Sequence, residues 1–141
     1  MSSSWLCVDA NLVIRVVTDP AAEAVQHLWE QWDAERRQVA APALLYYEVT
    51  NALYRYQKLG LIGPTSVQQA LEAALALPLR LYGEADLHWR ALKLAGRLSL
   101  PAAYDAHYLA LAEWLGAEFW TGDGRLARAV QATLPWVHLV Q

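Results

Sequence analysis

The chain has 141 residues and a formal net charge of −3, with 56% hydrophobic and 18% charged residues. This length fits one domain, and the apolar composition excludes a disordered chain because enough side chains are present to build a core. The acidic balance also excludes a protein that binds nucleic acid by bulk attraction. A nucleic-acid substrate would therefore require metal ions or local arginines.

No segment reads as a membrane span or a signal peptide. The apolar stretch at 4–17 is interrupted by Asp9, Asn11 and Arg15, and it lacks a basic leader and a cleavage signature. The single cysteine, Cys7, lies in an apolar run and has no partner for an intramolecular disulfide. We therefore expect a cytoplasmic protein in which Cys7 is a buried apolar residue.

Short apolar runs alternate with helical patterns along the chain, without a repeat, a low-complexity tract or a linker. In chain order, the pattern predicts a strand at 5–9, a helix at 21–36, a strand at 39–41, helices at 44–59 and 64–77, a strand at 79–82, helices at 85–98 and 104–115, a strand at 118–121, a helix at 123–132 and a strand at 136–140. Gly60 and Gly116 follow two of these helices, as helix-ending glycines do. Strands that alternate with helices predict an α/β domain with a parallel five-stranded sheet covered by helices on both faces.

Three carboxylates fall where a predicted strand ends or a predicted helix begins. Asp9 ends the first strand, Asp105 opens the helix at 104–115, and Asp123 follows the strand at 118–121. Each has an ordinary explanation, because Asp9 and Asp105 suit helix N-caps and Asp123 suits a turn before glycine. Parallel sheets bind ligands beyond the carboxyl ends of their strands, so the three acids together predict a site at that edge.

A fourth acid, Glu48, lies in the first turns of an otherwise apolar helix. Asn51 comes three residues later, so the two share a helix face and would hold and orient a ligand together. The alternative is that both are ordinary exposed polar residues. Carboxylates crowded into one site repel one another, and they either raise their pKa values or bind a cation. Oxygen-only ligands select hard cations, which predicts Mg²⁺ or Mn²⁺.

Other kinds of site fit the sequence less well. Residues 122–127 match a dinucleotide-binding pattern, but too little chain follows for the acidic residue that binds the ribose. A phosphate-transferring hydrolase would need a second aspartate where Asn11 stands. A phospho-receiver domain would need a lysine near its last strand, whereas Lys58 and Lys93 both lie in predicted helices.

Four segments, taken in order, carry a resemblance to a known family: residues 8–11 (VDAN), 48–53 (EVTNAL), 104–112 (YDAHYLALA) and 121–126 (TGDGRL). Together they resemble the PIN domain, and within that family they are most similar to the VapC-type toxins of bacterial and archaeal toxin–antitoxin pairs. The resemblance runs from about Trp5 to Val140. It implies that residues 1–141 form a single PIN-like nuclease domain.

The resemblance carries expectations about activity and partners. It implies an endoribonuclease that depends on Mg²⁺ or Mn²⁺ and hydrolyses RNA phosphodiester bonds. It also implies a homodimer that is inhibited by an antitoxin protein. The implied acidic metal-site residues are Asp9, Glu48, Asp105 and Asp123, and the implied supporting residues are Asn11, Asn51 and Thr121.

A different class of function stays open at this point. A PIN-like domain that has lost catalysis would bind RNA or a protein partner without cutting, and the presence of all four acids argues against that reading without removing it. The seven tryptophans allow the same two readings, because tryptophan serves both in cores and at interfaces.

Overall fold

The fold consists of five short strands and seven helices within residues 4–141, the part of the chain that this computed structural model describes. The strands are β1 (Trp5–Val8), β2 (Gln38–Pro42), β3 (Leu79–Tyr82), β4 (Glu118–Thr121) and β5 (Val137–Leu139). The helices are α1 (Ala10–Thr18), α2 (Glu23–Ala34), α3 (Leu44–Lys58), α4 (Pro64–Ala76), α5 (Ala85–Arg97), α6 (Tyr104–Leu115) and α7 (Gly124–Val130).

All neighbouring strands are parallel, and their order across the sheet is β3-β2-β1-β4-β5. The chain therefore moves outward from β1 to β3, crosses back to β4 on the other side of β1, and finishes at β5. Because crossovers between parallel strands are right-handed, the helices that join β1, β2 and β3 lie on one face. The helices that lead to β4 and β5 lie on the other. The predicted α/β domain with a parallel five-stranded sheet is confirmed.

The centre of the core is the contact between β1 and α6. Leu6, Cys7 and Val8 are all fully buried although successive side chains of a strand point to opposite faces, so both faces of β1 are covered. Helix α6 packs against β1, β2 and β4 and buries Tyr108 and Leu109. Burial raises the pKa of the Cys7 thiol to about 12, which keeps it protonated and unreactive.

The predicted elements are present, with ends within two residues of those observed. Helix α2 begins at Glu23 rather than at 21 because the preceding residues form a turn, in which the Ala22 N–H donates to the Asp19 carbonyl at 3.1 Å. Helix α7 begins at Gly124 because Asp123 caps it from outside. The sequence pattern set no bounds for α1, the nine-residue helix that follows Asp9. No helix within residues 4–141 is long and apolar enough to cross a membrane.

The carboxyl ends of β1 and β4 lie side by side at the middle of the sheet, where Val8 pairs with Trp120. Asp9 follows directly, and its N–H donates to the Trp120 carbonyl at 3.3 Å. The strand order thus brings the residue after β1 next to the loop after β4. Helices α3 and α6 both begin at this edge, so acids in their first turns face the same region.

Candidate active site

Four carboxylates from four separate segments line one cavity of about 370 Å³ at the carboxyl edge of the sheet. We call it the acidic cavity, and its lining residues are Asp9, Ala10, Asn11, Glu48, Asp105, Tyr108, Gly122, Asp123 and Gly124. The structure therefore brings together all four acids that the sequence singled out. Of the three predicted supporting residues, only Asn11 lines the cavity itself.

Asp9 is the most buried of the four acids, with 9% of its surface exposed. Its Oδ1 accepts from the Leu12 N–H at 3.1 Å, so it caps α1, and its Oδ2 accepts from the Thr121 hydroxyl. Burial, together with the charges of Asp123 and Asp105, raises the pKa of Asp9 to about 6, although the two hydrogen bonds act to lower it. The sequence offered capping and site membership as alternatives, but Asp9 does both.

Thr121 lies behind the cavity and connects two of its acids. Besides donating to Asp9, the Thr121 hydroxyl oxygen accepts from the Asp123 N–H at 2.9 Å. Asp123 in turn caps α7, since its Oδ1 accepts from the N–H groups of Arg125 at 3.0 Å and Leu126 at 3.2 Å. Thr121 is fully buried, so this arrangement fixes Asp9 relative to the loop after β4.

Glu48 is held by Tyr108, a residue to which the sequence analysis gave no separate role. The Tyr108 hydroxyl donates to Glu48 Oε1 at 2.5 Å, across the gap between α6 and α3. Burial raises the pKa of Glu48, the Tyr108 hydrogen bond lowers it, and the charge of Asp105 raises it. The available signal was spacing, because Tyr108 comes three residues after Asp105 and shares its helix face.

Asp105 lies in the first turn of α6 and is more open to solvent than Asp9. Partial burial raises its pKa, and the charge of Asp123 raises it further. Three of the four acids thus have raised pKa values, and each is raised in part by another member of the group. This mutual repulsion is what a cation placed among them would relieve.

Asn11 packs against the loop that carries Asp123. A Cβ atom at Gly122 would overlap the Asn11 side chain, so glycine at 122 is what allows the asparagine to lie there. Arg15 holds the same loop from below, with Nη2 donating to the Gly122 carbonyl at 3.3 Å and Nη1 to the Val140 carbonyl at 3.4 Å. These contacts therefore hold the first turns of α1 and the loop after β4 in a fixed position relative to each other.

A family model for the PIN domain matches residues 6–131, which is most of the chain. The chain belongs to the PIN-domain family. Two solved structures are similar over nearly the whole PIN domain. One is a toxin–antitoxin complex from Klebsiella pneumoniae, with 20% identity, 94% of each chain covered and a TM-score of 0.65. The other is a crystal structure of PAE2754 from Pyrobaculum aerophilum, with 23% identity, 95% of this chain and 91% of that chain covered, and a TM-score of 0.68.

No curated protein sequence matches this PIN domain. At 20% and 23% identity, the two solved structures establish the shared fold alone. PIN domains are generally nucleases and generally use divalent metal ions. The cavity can therefore be tested for its fit to such an ion.

The donor set of the acidic cavity fits a hard divalent cation in charge and in chemistry. All four acids offer carboxylate oxygens, which Mg²⁺, Mn²⁺ and Ca²⁺ prefer over nitrogen and sulfur. Within residues 4–141, however, no three such side chains stand close enough together to hold an ion as they are. A cation here would be held by one or two of the carboxylates together with water, and the exposed Asp105 could turn inwards to add a further oxygen.

Asn51 lies away from the acidic cavity. It is exposed on α3 and lines a different groove, with Tyr47 and Tyr54. The shared helix face with Glu48 was a sound inference from spacing, but positions three apart on a helix still differ by about 60° around the axis. That angle is enough to direct the two side chains into neighbouring depressions.

Proposed function

We propose that this PIN domain is a metal-dependent endoribonuclease that hydrolyses RNA phosphodiester bonds. The observation that carries the proposal is the acidic cavity, in which carboxylates from four segments meet and three of them have pKa values raised by burial and by the charge of a neighbouring acid. The proposed catalytic and metal-binding residues are Asp9, Glu48, Asp105 and Asp123. We propose further that the whole chain, residues 1–141, serves as this one nuclease domain.

The acids of the cavity differ in how firmly hydrogen bonds hold their side chains. Asp9 is fixed by hydrogen bonds to both carboxylate oxygens, and Glu48 is fixed by Tyr108. Both can therefore keep their positions when substrate enters. Asp123 is held through one oxygen by its capping of α7, whereas Asp105 is exposed and free to adjust. A divalent cation bound among these oxygens would supply charge neutralisation at the phosphodiester and lower the pKa of a water molecule.

Supporting roles follow from the contacts. Thr121 keeps Asp9 in place and links it to the backbone of Asp123. Asn11 lies at the cavity wall with an amide that can donate to a phosphate oxygen or a water molecule. Asn51 has no such position and is left out of the proposed catalytic group. The oxygen-only donor set favours Mg²⁺ or Mn²⁺ as the cation.

We propose that the biological role is that of a toxin in a toxin–antitoxin pair. The similar structure from Klebsiella pneumoniae is titled as a toxin–antitoxin complex, and the sequence resembles the VapC-type toxins. An antitoxin partner, a homodimer and a cytoplasmic location belong to the same proposal. Co-purification of this chain with the product of a neighbouring small gene would test the partner. Failure to form a complex would remove the toxin role and leave the nuclease proposal standing.

The nuclease proposal is tested by cleavage of end-labelled RNA with purified protein in Mg²⁺, in Mn²⁺ and in EDTA. Asp9→Asn and Asp105→Asn should each lower the cleavage rate by about a hundredfold or more, since both remove a charge proposed to hold the cation. Asp33→Asn is the matched control, because Asp33 is an exposed aspartate on α2 that does not line the acidic cavity.

Cleavage that persists in EDTA, or that survives Asp9→Asn, would contradict the proposal. Metal binding without cleavage of any RNA offered would favour the other reading, a PIN-like module that binds RNA or protein without cutting. The separation of the carboxylates in the described residues is the observation that keeps this second reading in the test.

A further inference from the structure

A second depression lies at the same edge of the sheet as the acidic cavity. Its volume is about 800 Å³. We call it the tyrosine groove, and the lining residues that matter are Tyr46, Tyr47, Thr50, Asn51, Tyr54 and Leu81. Most of them belong to α3, the helix that also carries Glu48, and Leu81 lies near the carboxyl end of β3.

Two aromatic rings of this groove are open to solvent. Tyr47 is 76% exposed and Tyr54 is 59% exposed. They are seven residues apart, so they lie on the same side of α3, about 10 Å apart along its axis. Tyr46 is fixed instead, because its hydroxyl donates to the Ala74 carbonyl of α4 at 2.6 Å. The groove therefore has one rigid wall and two exposed rings, each far enough from the other to contact a planar group of its own.

Polar groups with unused hydrogen-bonding capacity lie between the rings. Within residues 4–141, neither the Thr50 hydroxyl nor the Asn51 amide has a hydrogen bond to another protein group. An amide offers both a donor and an acceptor, which matches the edge of an unpaired base. An aromatic ring for the face of a base and an amide for its edge are the elements with which proteins recognise single-stranded RNA.

Two exposed cations lie on α3 near the tyrosines of the groove. From Val49 to Leu71 the chain contains no aspartate or glutamate, whereas Arg55 and Lys58 are exposed in the last turn of α3. Lys58 comes four residues after Tyr54 and shares its helix face. These two cations can contact phosphates next to the bases.

The groove and the acidic cavity share no lining residue, but they are neighbours along α3, where Tyr47 of the groove precedes Glu48 of the cavity. Asn51 lies one turn beyond Glu48, about 4.5 Å further along α3 and about 60° around it. A strand of RNA whose phosphate enters the acidic cavity would therefore pass its neighbouring base over Asn51 and the tyrosines. We propose that the tyrosine groove binds unpaired bases of the RNA substrate, by stacking on Tyr47 and Tyr54 and by hydrogen bonding to Asn51. This proposal rests on the proposed nuclease function of the cavity.

The test compares the binding of fluorescein-labelled single-stranded oligouridine and oligoadenine by fluorescence anisotropy. All proteins carry Asp9→Asn to stop cleavage, and the buffer contains Mg²⁺. Tyr47→Ala and Tyr54→Ala should each weaken binding by about 5- to 150-fold, which is the effect of losing one base–aromatic stack. Tyr47→Phe and Tyr54→Phe keep the ring and should retain most of the affinity. A fully paired RNA duplex should show no dependence on either tyrosine.

Trp89→Ala is the matched control, because Trp89 is an equally exposed aromatic on α5 that does not line the groove. The proposal is overturned if the alanine variants bind single-stranded RNA as the parent does, if the parent does not bind it, or if Trp89→Ala loses as much affinity. A change in sedimentation or in antitoxin binding in Tyr47→Ala, with RNA affinity unaltered, would overturn it too, since the groove would then be a protein interface.

Cleavage is measured separately, with Asp9 intact. If cleavage depends on metal but RNA binding does not depend on the tyrosines, the proposal for the tyrosine groove is refuted and the nuclease proposal is unaffected. If RNA binding depends on the tyrosines but no RNA is cut, the nuclease proposal is refuted and the groove remains a binding site for single-stranded RNA. The two failures are therefore distinguishable.

Discussion

Asp9→Asn should make the protein more stable at neutral pH in the absence of divalent ions. The Asp9 carboxylate is nearly inaccessible to water, and burial raises its pKa from 3.8 to about 6. An acid whose pKa is higher in the folded than in the unfolded chain binds protons more tightly when folded. Its ionisation therefore costs stability as the pH rises through this range. Asparagine removes that charge and remains a good helix N-cap.

The size of the effect follows from the pKa. Raising the pKa of Asp9 from 3.8 to about 6 corresponds to about 3 kcal/mol at pH values above 6, since one pKa unit is about 1.36 kcal/mol. Asparagine has one acceptor oxygen where the carboxylate has two, so it cannot accept from both Leu12 and Thr121, and the lost hydrogen bond returns about 1 kcal/mol of this. We therefore expect Asp9→Asn to raise the free energy of unfolding by about 1–2 kcal/mol at pH 8, and to give no such gain near pH 4.

The measurement is urea denaturation in EDTA at several pH values, followed by circular dichroism. Asp33→Asn serves as the control for the loss of a carboxylate and should change the free energy of unfolding only slightly, because Asp33 is exposed. Addition of Mn²⁺ should stabilise the parent and not Asp9→Asn. The reasoning is refuted if Asp9→Asn is less stable than the parent at pH 8, or if its advantage does not shrink as the pH falls.

Three further substitutions test the contacts around the acidic cavity. Thr121→Val leaves the buried Asp9 carboxylate without its hydroxyl donor, so urea denaturation should show that the free energy of unfolding falls by about 1–3 kcal/mol. The same change should raise the pKa of Asp9 further, and the acid limb of the pH–rate profile for cleavage should therefore move to higher pH. Tyr108→Phe removes the hydroxyl that donates to Glu48, so the pKa of Glu48 should rise and the pH–rate profile should shift to higher pH. An unshifted profile would contradict a role for this hydrogen bond. Gly122→Ala should displace the Asn11 side chain that packs against Gly122, and cleavage should slow severalfold while the melting temperature stays nearly unchanged. A large drop in melting temperature would contradict this, because it would show that the alanine strains the loop itself.

Much of the fold follows from the sequence because buried parallel strands are short apolar runs and the helices are periodic. Strands β3 and β4 and helix α6 have the predicted bounds for that reason. The ends of helix α1 could not be predicted because it contains β-branched residues that resemble a continuation of the strand before it: Val13, Ile14, Val16 and Val17. The order of the strands across the sheet is a tertiary property, and local periodicity does not contain it.

The candidate site shows the same division. Asp9, Asp105 and Asp123 were found from their positions at strand ends and a helix start, and Glu48 was found as an acid in an otherwise apolar helix, which is local information. Tyr108 was missed because its role depends on α6 lying against α3, a contact between distant parts of the chain. Asn51 was grouped with Glu48 because spacing gives only an approximate helix face. The structure shows that 60° around a helix separates one depression from another.

The most direct test of the account is whether the acidic cavity binds a divalent cation, measured by calorimetric titration of Mn²⁺ into the protein without RNA. The account predicts binding by the parent and its loss in Asp9→Asn. It also predicts that more protons are released at pH 6 than at pH 8, because the cation displaces protons from carboxylates whose pKa values are raised. Equal binding by parent and Asp9→Asn, or no binding at all, would contradict the account.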